Sequence, residues 1–123
     1  MSADARHQRL RVLEGRYVIA LEPTTEAPAA DGEWLVHVFG PDGHTGVRRD
    51  DEAVSGWVAL WSGEVPHAPE ATGMLSALIA PLAEGQVPVM VASTFHADLV
   101  LVPADRSDDA VSLLRAAGHE VLA

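Results

Sequence analysis

Cysteine and lysine are absent from this 123-residue chain, and aromatic residues are scarce at 5%. Without cysteine there are no disulfides, no thiolate metal sites and no Cys nucleophile, so redox chemistry says nothing of the compartment. Without lysine, eight arginines stand against 18 carboxylates, and the net charge is −10. That charge opposes the counterion release that drives binding to phosphate backbones, which argues against a nucleic-acid partner. Long hydrophobic runs are also missing. None approaches the roughly 20 apolar residues that a membrane span requires, and MSADARHQRLRVLEGR at the N-terminus has no apolar core of the signal-peptide kind. The expectation is a cytoplasmic protein with no membrane partner.

What is present suffices for a core: 48% of residues are hydrophobic. A chain of this length is one ordinary domain or two half-size lobes. Arg9 to Leu13 alternates, Glu14-Gly15 follows, and Arg16 to Leu21 is again apolar and β-prone, so the first twenty residues read as a hairpin. Pro23 to Gly32 has the composition of an exposed loop, and Trp34 to Phe39 is a third strand closed by Gly40-Pro41-Asp42-Gly43. Gly43 to Gly56 is polar and irregular and reads as a link between a β-rich lobe, residues 1–55, and a second unit, residues 56–123. Within it Arg48 and Arg49 are followed by Asp50, Asp51 and Glu52, which neutralise the local basic spot.

The second unit opens with Trp57 to Ser62, where Trp57, Ala59 and Trp61 face one way and Val58 and Leu60 the other, a strand buried on both sides. Met74, Leu75, Leu78, Ile79 and Leu82 then recur at the spacing of one helical face, with Thr72 as the expected N-cap and Gly85 as the C′ residue. Pro81 predicts a kink or an early end. Val87 to Val102 follows as two β-prone runs around the polar bend Ser93-Thr94-Phe95-His96-Ala97-Asp98. Ser107-Asp108-Asp109 opens a second helix that Gly118 stops, and His119 to Leu122 is a candidate last strand. Residues 57 to 122 thus read strand, helix, strand, strand, helix, strand. That order predicts an α+β, ferredoxin-like fold: a four-stranded antiparallel sheet with two helices on one face. Its open face needs a cover, from the N-terminal lobe or from a second copy of the chain.

Several spaced motifs in this unit resemble the ACT domains, and among them the small bacterial ACT proteins and the animal cytosolic arginine sensor. They are Gly56-Trp57, the helix from Thr72-Gly73-Met74-Leu75 through Ala80-Pro81-Leu82-Ala83-Glu84, Ser93-Thr94-Phe95 followed by Asp98-Leu99-Val100-Leu101-Val102, and Leu114-Arg115-Ala116-Ala117-Gly118-His119. A weaker echo at Gly15-Arg16-Tyr17 and Gly32-Glu33 through Val38 makes the first lobe ACT-like. Pro69 departs from the family's usual aromatic residue, and the first lobe is short around residues 22 to 33. The resemblance implies a regulatory sensor of an amino acid or similar small ligand, bound between lobes or subunits, without catalysis or cofactor. By position, the pocket would draw on Thr72, Gly73, Met74, Gln86, Val87, Ser93, Thr94, Phe95 and Asp98.

Helix N-termini and free strand ends suit the two charged groups of an amino acid. Asp98 would then complement an amine or a basic side chain, and Phe95 would pack on the apolar part. A carboxylate at a strand start is equally a turn former, and Ser93 and Thr94 are equally at home as turn residues. Two other readings stay open. One is a ligand-free homodimeric interaction module that regulates a partner enzyme. The other is a small enzyme using His96 and Asp98, which would share a strand face. His7, His37, His44, His67 and His119 show no ligand spacing, so no metal site is expected.

Overall fold

The two apolar runs at the N-terminus do not fold back on each other. In the computed structural model, which describes residues 6–22 and 33–122, β1 (Arg9–Val12) and β2 (Tyr17–Glu22) follow one another along the same edge of β5 (Trp57–Trp61). Val12 lies opposite Leu60 and Tyr17 opposite Trp57, with the Leu13 N–H still reaching the Ala59 carbonyl at 2.9 Å. The surplus residues form a bulge, and Gly15, at φ +98°, takes the backbone conformation that the bulge requires. This corrects the expected hairpin. The loop from Pro23 to Gly32 lies outside the described residues.

A second correction concerns the expected link. Its first half is a strand, β4 (Gly43–Arg49), paired with β2 on one side and β3 (Trp34–Gly40) on the other. Its polar residues conceal burial on both faces, with His44 on one and Val47 on the other. The His37 Nδ1 and His44 Nε2 atoms lie 2.7 Å apart, and Trp34 and Phe39 flank the pair in a row of rings. Beyond β4, Arg49 bonds Asp51 at 2.9 Å, and Asp51 accepts the Arg16 N–H at 3.0 Å, which ties this corner to the bulge. The Arg48–Arg49 basic spot is thus neutralised in part by Asp51, as the charge pattern predicts.

The remaining strands are β6 (Met90–Ser93), β7 (Asp98–Pro103) and β8 (Glu120–Leu122). β7 pairs antiparallel with β5 and β6, while β8 pairs in parallel with β1. Among the described residues the result is one eight-stranded sheet carrying two helices, α1 (Met74–Glu84) and α2 (Ser107–Ala116), an α+β architecture. The four-stranded expectation is corrected by β1, which enters between β5 and β8. Leu10 of β1 is part of the core that Leu60, Val100, Leu78, Leu82 and Leu114 form under the helices. Alternate positions of the same strands, Ala59, Leu99 and Leu101, face a second core on the other side with Tyr17, Val47, Trp57 and Trp61. Strand β5 is buried on both faces, as its alternation predicts, and the N-terminal strands cover part of the face without helices.

Helix α1 starts one residue later than the expected Thr72 cap. Gly73, at φ +78°, occupies the N-cap and no side chain caps the helix. At the other end Gly85 is the C-cap, and Gln86 takes the left-handed C′ position with φ +58°. Gln86 donates to Ala83 O at 3.0 Å and Val87 to Leu82 O at 2.9 Å, the pair of bonds that closes a helix with a Schellman turn. Gly85 is small for another reason: a Cβ there would meet the Leu113 side chain of α2.

Pro81 lies within α1 and the helix runs past it to Glu84. Pro has no N–H, so the Ala77 carbonyl loses its usual partner. His119 Nε2 donates to that carbonyl at 2.8 Å, and its Nδ1 accepts the Gln8 N–H at 3.0 Å, which fixes the neutral Nε2–H tautomer. At α2, Ser107 is the first helical residue and its hydroxyl donates to Ala104 O at 2.9 Å, so it closes a 3₁₀ turn and does not cap the helix as expected. Gly118 ends α2 at φ +98°. Strand β6 begins only at Met90, leaving Pro88 outside the ladder.

Three outcomes follow. Gln86→Gly relieves a left-handed non-glycine residue and should raise stability by about 1 kcal/mol, read from the urea midpoint. His119→Ala leaves the Ala77 carbonyl and the Gln8 N–H without their partner and should cost roughly 2–4 kcal/mol. The hydrogen bonds from Arg49 and from the Arg16 N–H hold the Asp51 carboxyl below its ordinary value. Because the folded-state pKa is the lower one, this contribution is present above the unfolded value of about 4 and is lost as pH falls further. Urea midpoints measured between roughly pH 2 and 6 should therefore fall less steeply at the acidic end in Asp51→Asn than in the parent chain.

Candidate functional site

Register places Asp98 on the helix side of the sheet. Trp61 pairs with Leu99, so Ser62 and Asp98 lie opposite each other just past the end of β5. Ser62 N–H donates to Asp98 O at 3.0 Å, and Ser62 Oγ accepts the Asp98 N–H at 2.8 Å. Ser93, the register partner of Asp98 on β6, donates its hydroxyl to Asp98 Oδ1 at 2.6 Å. Asp98 is only 4% exposed. A buried carboxylate needs its remaining oxygen satisfied, yet Oδ2 has no hydrogen-bond donor. It faces His67 Nε2 at 3.5 Å, and that nitrogen is buried without a hydrogen bond too.

His67 belongs to the irregular segment between β5 and α1, and it also lines a cavity of about 820 Å³. Thr72 and Met74, at the uncapped N-terminal end of α1, form one wall, and Arg6 to Arg9 with Glu120 form the other. Arg6 lies against Gly73, where an added Cβ would come within 2.6 Å of Arg6 Nε. The Gln8 side chain donates to Met74 O at 2.8 Å, whereas its own Oε1 is buried without a donor. Glu120 already pairs with Arg9 at 2.6 Å, an arrangement that raises the arginine pKa through the hydrogen bond and the charge of Glu120. Two arginines, two histidines and a helix N-terminus thus meet one carboxylate, in a chain whose net charge is −10. Such a wall favours an anionic group.

The residues expected at the site separate into groups. Thr72, Gly73 and Met74 come together beside the cavity, and Ser93 and Asp98 come together behind His67. Gln86 and Val87 sit beyond the C-terminal end of the 11-residue α1, about 16 Å along the helix from Thr72, with Val87 in the core. Thr94 closes the β6–β7 turn, its N–H donating to Ala97 O at 2.8 Å. Phe95 is 71% exposed and packs edge-on against His96. His96 is likewise exposed and shares no face with Asp98, whose imidazole neighbour is His67. Ser93 and Thr94 also border a smaller cavity of about 460 Å³ on the other side of the sheet, walled by Leu35, Val36, Trp61 and Leu99.

Sequence reasoning missed Gln8, Ser62 and His67. Spacing carried no signal for them, since they meet Asp98 and α1 only through strand register and the path of one loop. Among the described residues no three His, Asp or Glu side chains converge as a metal site would require. No helix among them is long and apolar enough to cross a membrane.

A family model described as the ACT domain matches residues 52–116, just over half of the chain. The chain belongs to the ACT domain family. ACT domains are in general regulatory modules that bind small ligands and do not catalyse reactions. Among solved structures, the protein Atu0741 from Agrobacterium tumefaciens is similar over 94% of this chain and 92% of its own, at 27% identity and a TM-score of 0.82. VC0802 from Vibrio cholerae, a protein of unknown function, is similar over 93% of this chain and 88% of its own, at 19% identity and a TM-score of 0.71, a likeness of fold. No functionally curated protein matches the chain.

The burial of Asp98 alters what its substitution should do. Asp98→Ala removes the acceptor of Ser93 and should cost roughly 1–3 kcal/mol, whereas Asp98→Asn keeps the shape and should cost less. Comparing their urea midpoints checks this, and Asn is the cleaner probe of binding.

Proposed function

We propose that this ACT-domain chain senses an amino acid or similar zwitterion at the cavity beside Thr72, Gly73 and Met74. The observation that carries the reading is the pairing of an anion-favouring wall with a buried carboxylate behind it. The ligand's carboxylate would take the α1 N-terminus and Arg6, and its cationic group would reach toward Asp98 and Gln8 Oε1. The sequence likeness to small bacterial ACT proteins and to the animal arginine sensor supports the same choice of ligand class. Ser93 acts by orienting Asp98, while Gln86, Val87, Thr94 and Phe95 lie outside this version of the pocket.

The chain works, in this reading, in the cytoplasm as a homodimer that regulates a separate protein. Val38 and Phe39 on β3 are half exposed, at 50% and 53%, and among the described residues β3 pairs only with β4. An apolar strand edge of that kind suits pairing with a second copy. The same surface supports the alternative of a ligand-free interaction module.

A thermal-shift screen against the twenty amino acids, beside a solution mass measurement, tests both readings. A ligand held at about 100 times its Kd adds about 2.7 kcal/mol to the folded state, a clear rise in Tm. The expected result is such a rise for one or two amino acids, lost in Asp98→Asn, from a protein with the mass of a dimer. A flat screen from a folded dimer would transfer the assignment to the interaction module.

A further inference from the structure

We propose that His67 is a built-in stand-in for the ligand's cationic group, a plug that closes the Asp98 subsite until ligand displaces it. This rests on the reading of the cavity given above and adds how the site is held shut. His67 Nε2 faces Asp98 Oδ2 at 3.5 Å, and His67 Nδ1 lies 3.1 Å from the Ala68 carbonyl. Both ring nitrogens therefore face oxygen atoms, the carboxylate at a distance too long for a hydrogen bond. The side chain of Asp98 is 6% exposed and that of His67 is 16% exposed, so the two groups meet largely out of water.

The fit is poor, and that makes the histidine replaceable. A charge-assisted N–H to carboxylate bond closes to about 2.8 Å, and here neither Oδ2 nor Nε2 has a hydrogen bond. A guanidinium or ammonium entering from the cavity could make the short bond that the imidazole does not reach. The loop that carries His67 is tied to β1 by the Glu64–Arg11 ion pair at 2.6 Å, three residues short of His67. It has no regular secondary structure between β5 and α1, Pro66 and Pro69 lack N–H groups, and the backbone bond that anchors His67 runs to His96 O at 2.9 Å. His67 lines the cavity directly, whereas Asp98 does not, so the ring stands between them. Its departure joins the carboxylate to the space that holds Arg6, His7, Arg9 and Glu120.

A ligand that must expel the plug binds with an affinity reduced by the open fraction. If the plug is in place about nine-tenths of the time, removing it should tighten binding about tenfold. The test uses the full chain with L-arginine, L-lysine, L-histidine and L-leucine as probes, titrated calorimetrically into the parent, His67→Ala, His67→Gln and Asp98→Asn. The expected result is tighter binding of a basic probe by both His67 variants, and none by Asp98→Asn. Unchanged or weaker affinity in both His67 variants, with Asp98→Asn still abolishing binding, overturns the plug and leaves the sensor. Absence of binding to every probe by the parent and both His67 variants overturns the plug together with the reading on which it rests.

Discussion

A single carbonyl group, that of Ala77, sets the terms for much of this molecule. Pro81 leaves it without a helical donor in a setting where an unpaired polar group is costly, and His119 supplies the missing N–H. The other nitrogen of the same ring then accepts the Gln8 N–H, so the start of β1 and the approach to β8 are fastened to α1 through one imidazole. The neighbouring main chain reinforces the arrangement, with Glu120 N–H donating to Gln8 O at 2.9 Å. Residues 6–9 arrive beside the N-terminal end of α1 because of this tie. The cavity is its by-product, formed where a helix lacks a side-chain cap and two arginines of the N-terminal segment stand nearby.

What could be read from the sequence followed local period. The alternation of Trp57 to Trp61 and the helical spacing of Leu78 and Leu82 identified the central strand and the first helix with their correct faces. Long-range pairing was not legible. Glu14-Gly15 has the chemistry of a turn, yet β5 offers both flanking strands a partner on the same edge, and the glycine goes into a bulge. Strand β4 was hidden by composition, because His44, Thr45 and Gly46 look like loop residues until Val47 and His44 are seen to be buried. The caps were misplaced by one residue for a backbone reason: Gly73 and Gln86 take left-handed conformations, which residue type alone did not assign.

The candidate site divides along the same line. Thr72, Gly73 and Met74, like Ser93 and Asp98, lie close together in the sequence and were expected at one site from the resemblance. His67 was not, since 31 positions separate it from Asp98 and an irregular loop brings them together. The sign of the cavity wall was equally invisible in the totals. A strongly acidic chain can still place its few arginines around one hollow, and here the fold brings Arg6 and Arg9 there beside His7 and His67 of the β5–α1 loop.

The bulge at Gly15 has a mechanical consequence. β1 and β2 are successive stretches of one strand path along β5, joined by four residues, with the helices packed over the first and the β3–β4 meander hanging from the second. A cut of the sheet between residues 55 and 56 would separate β1 from both β5 and β8, so the meander and the helical half share a beam and have no clean seam. A pull on residues 6–9 at the cavity runs lengthwise into β2, and from β2 it crosses β4 to reach the outer strand. The cavity-lining segment and the outer strand β3 are thus joined by one stretch of chain, from β1 into β2, and by two hydrogen-bonded ladders.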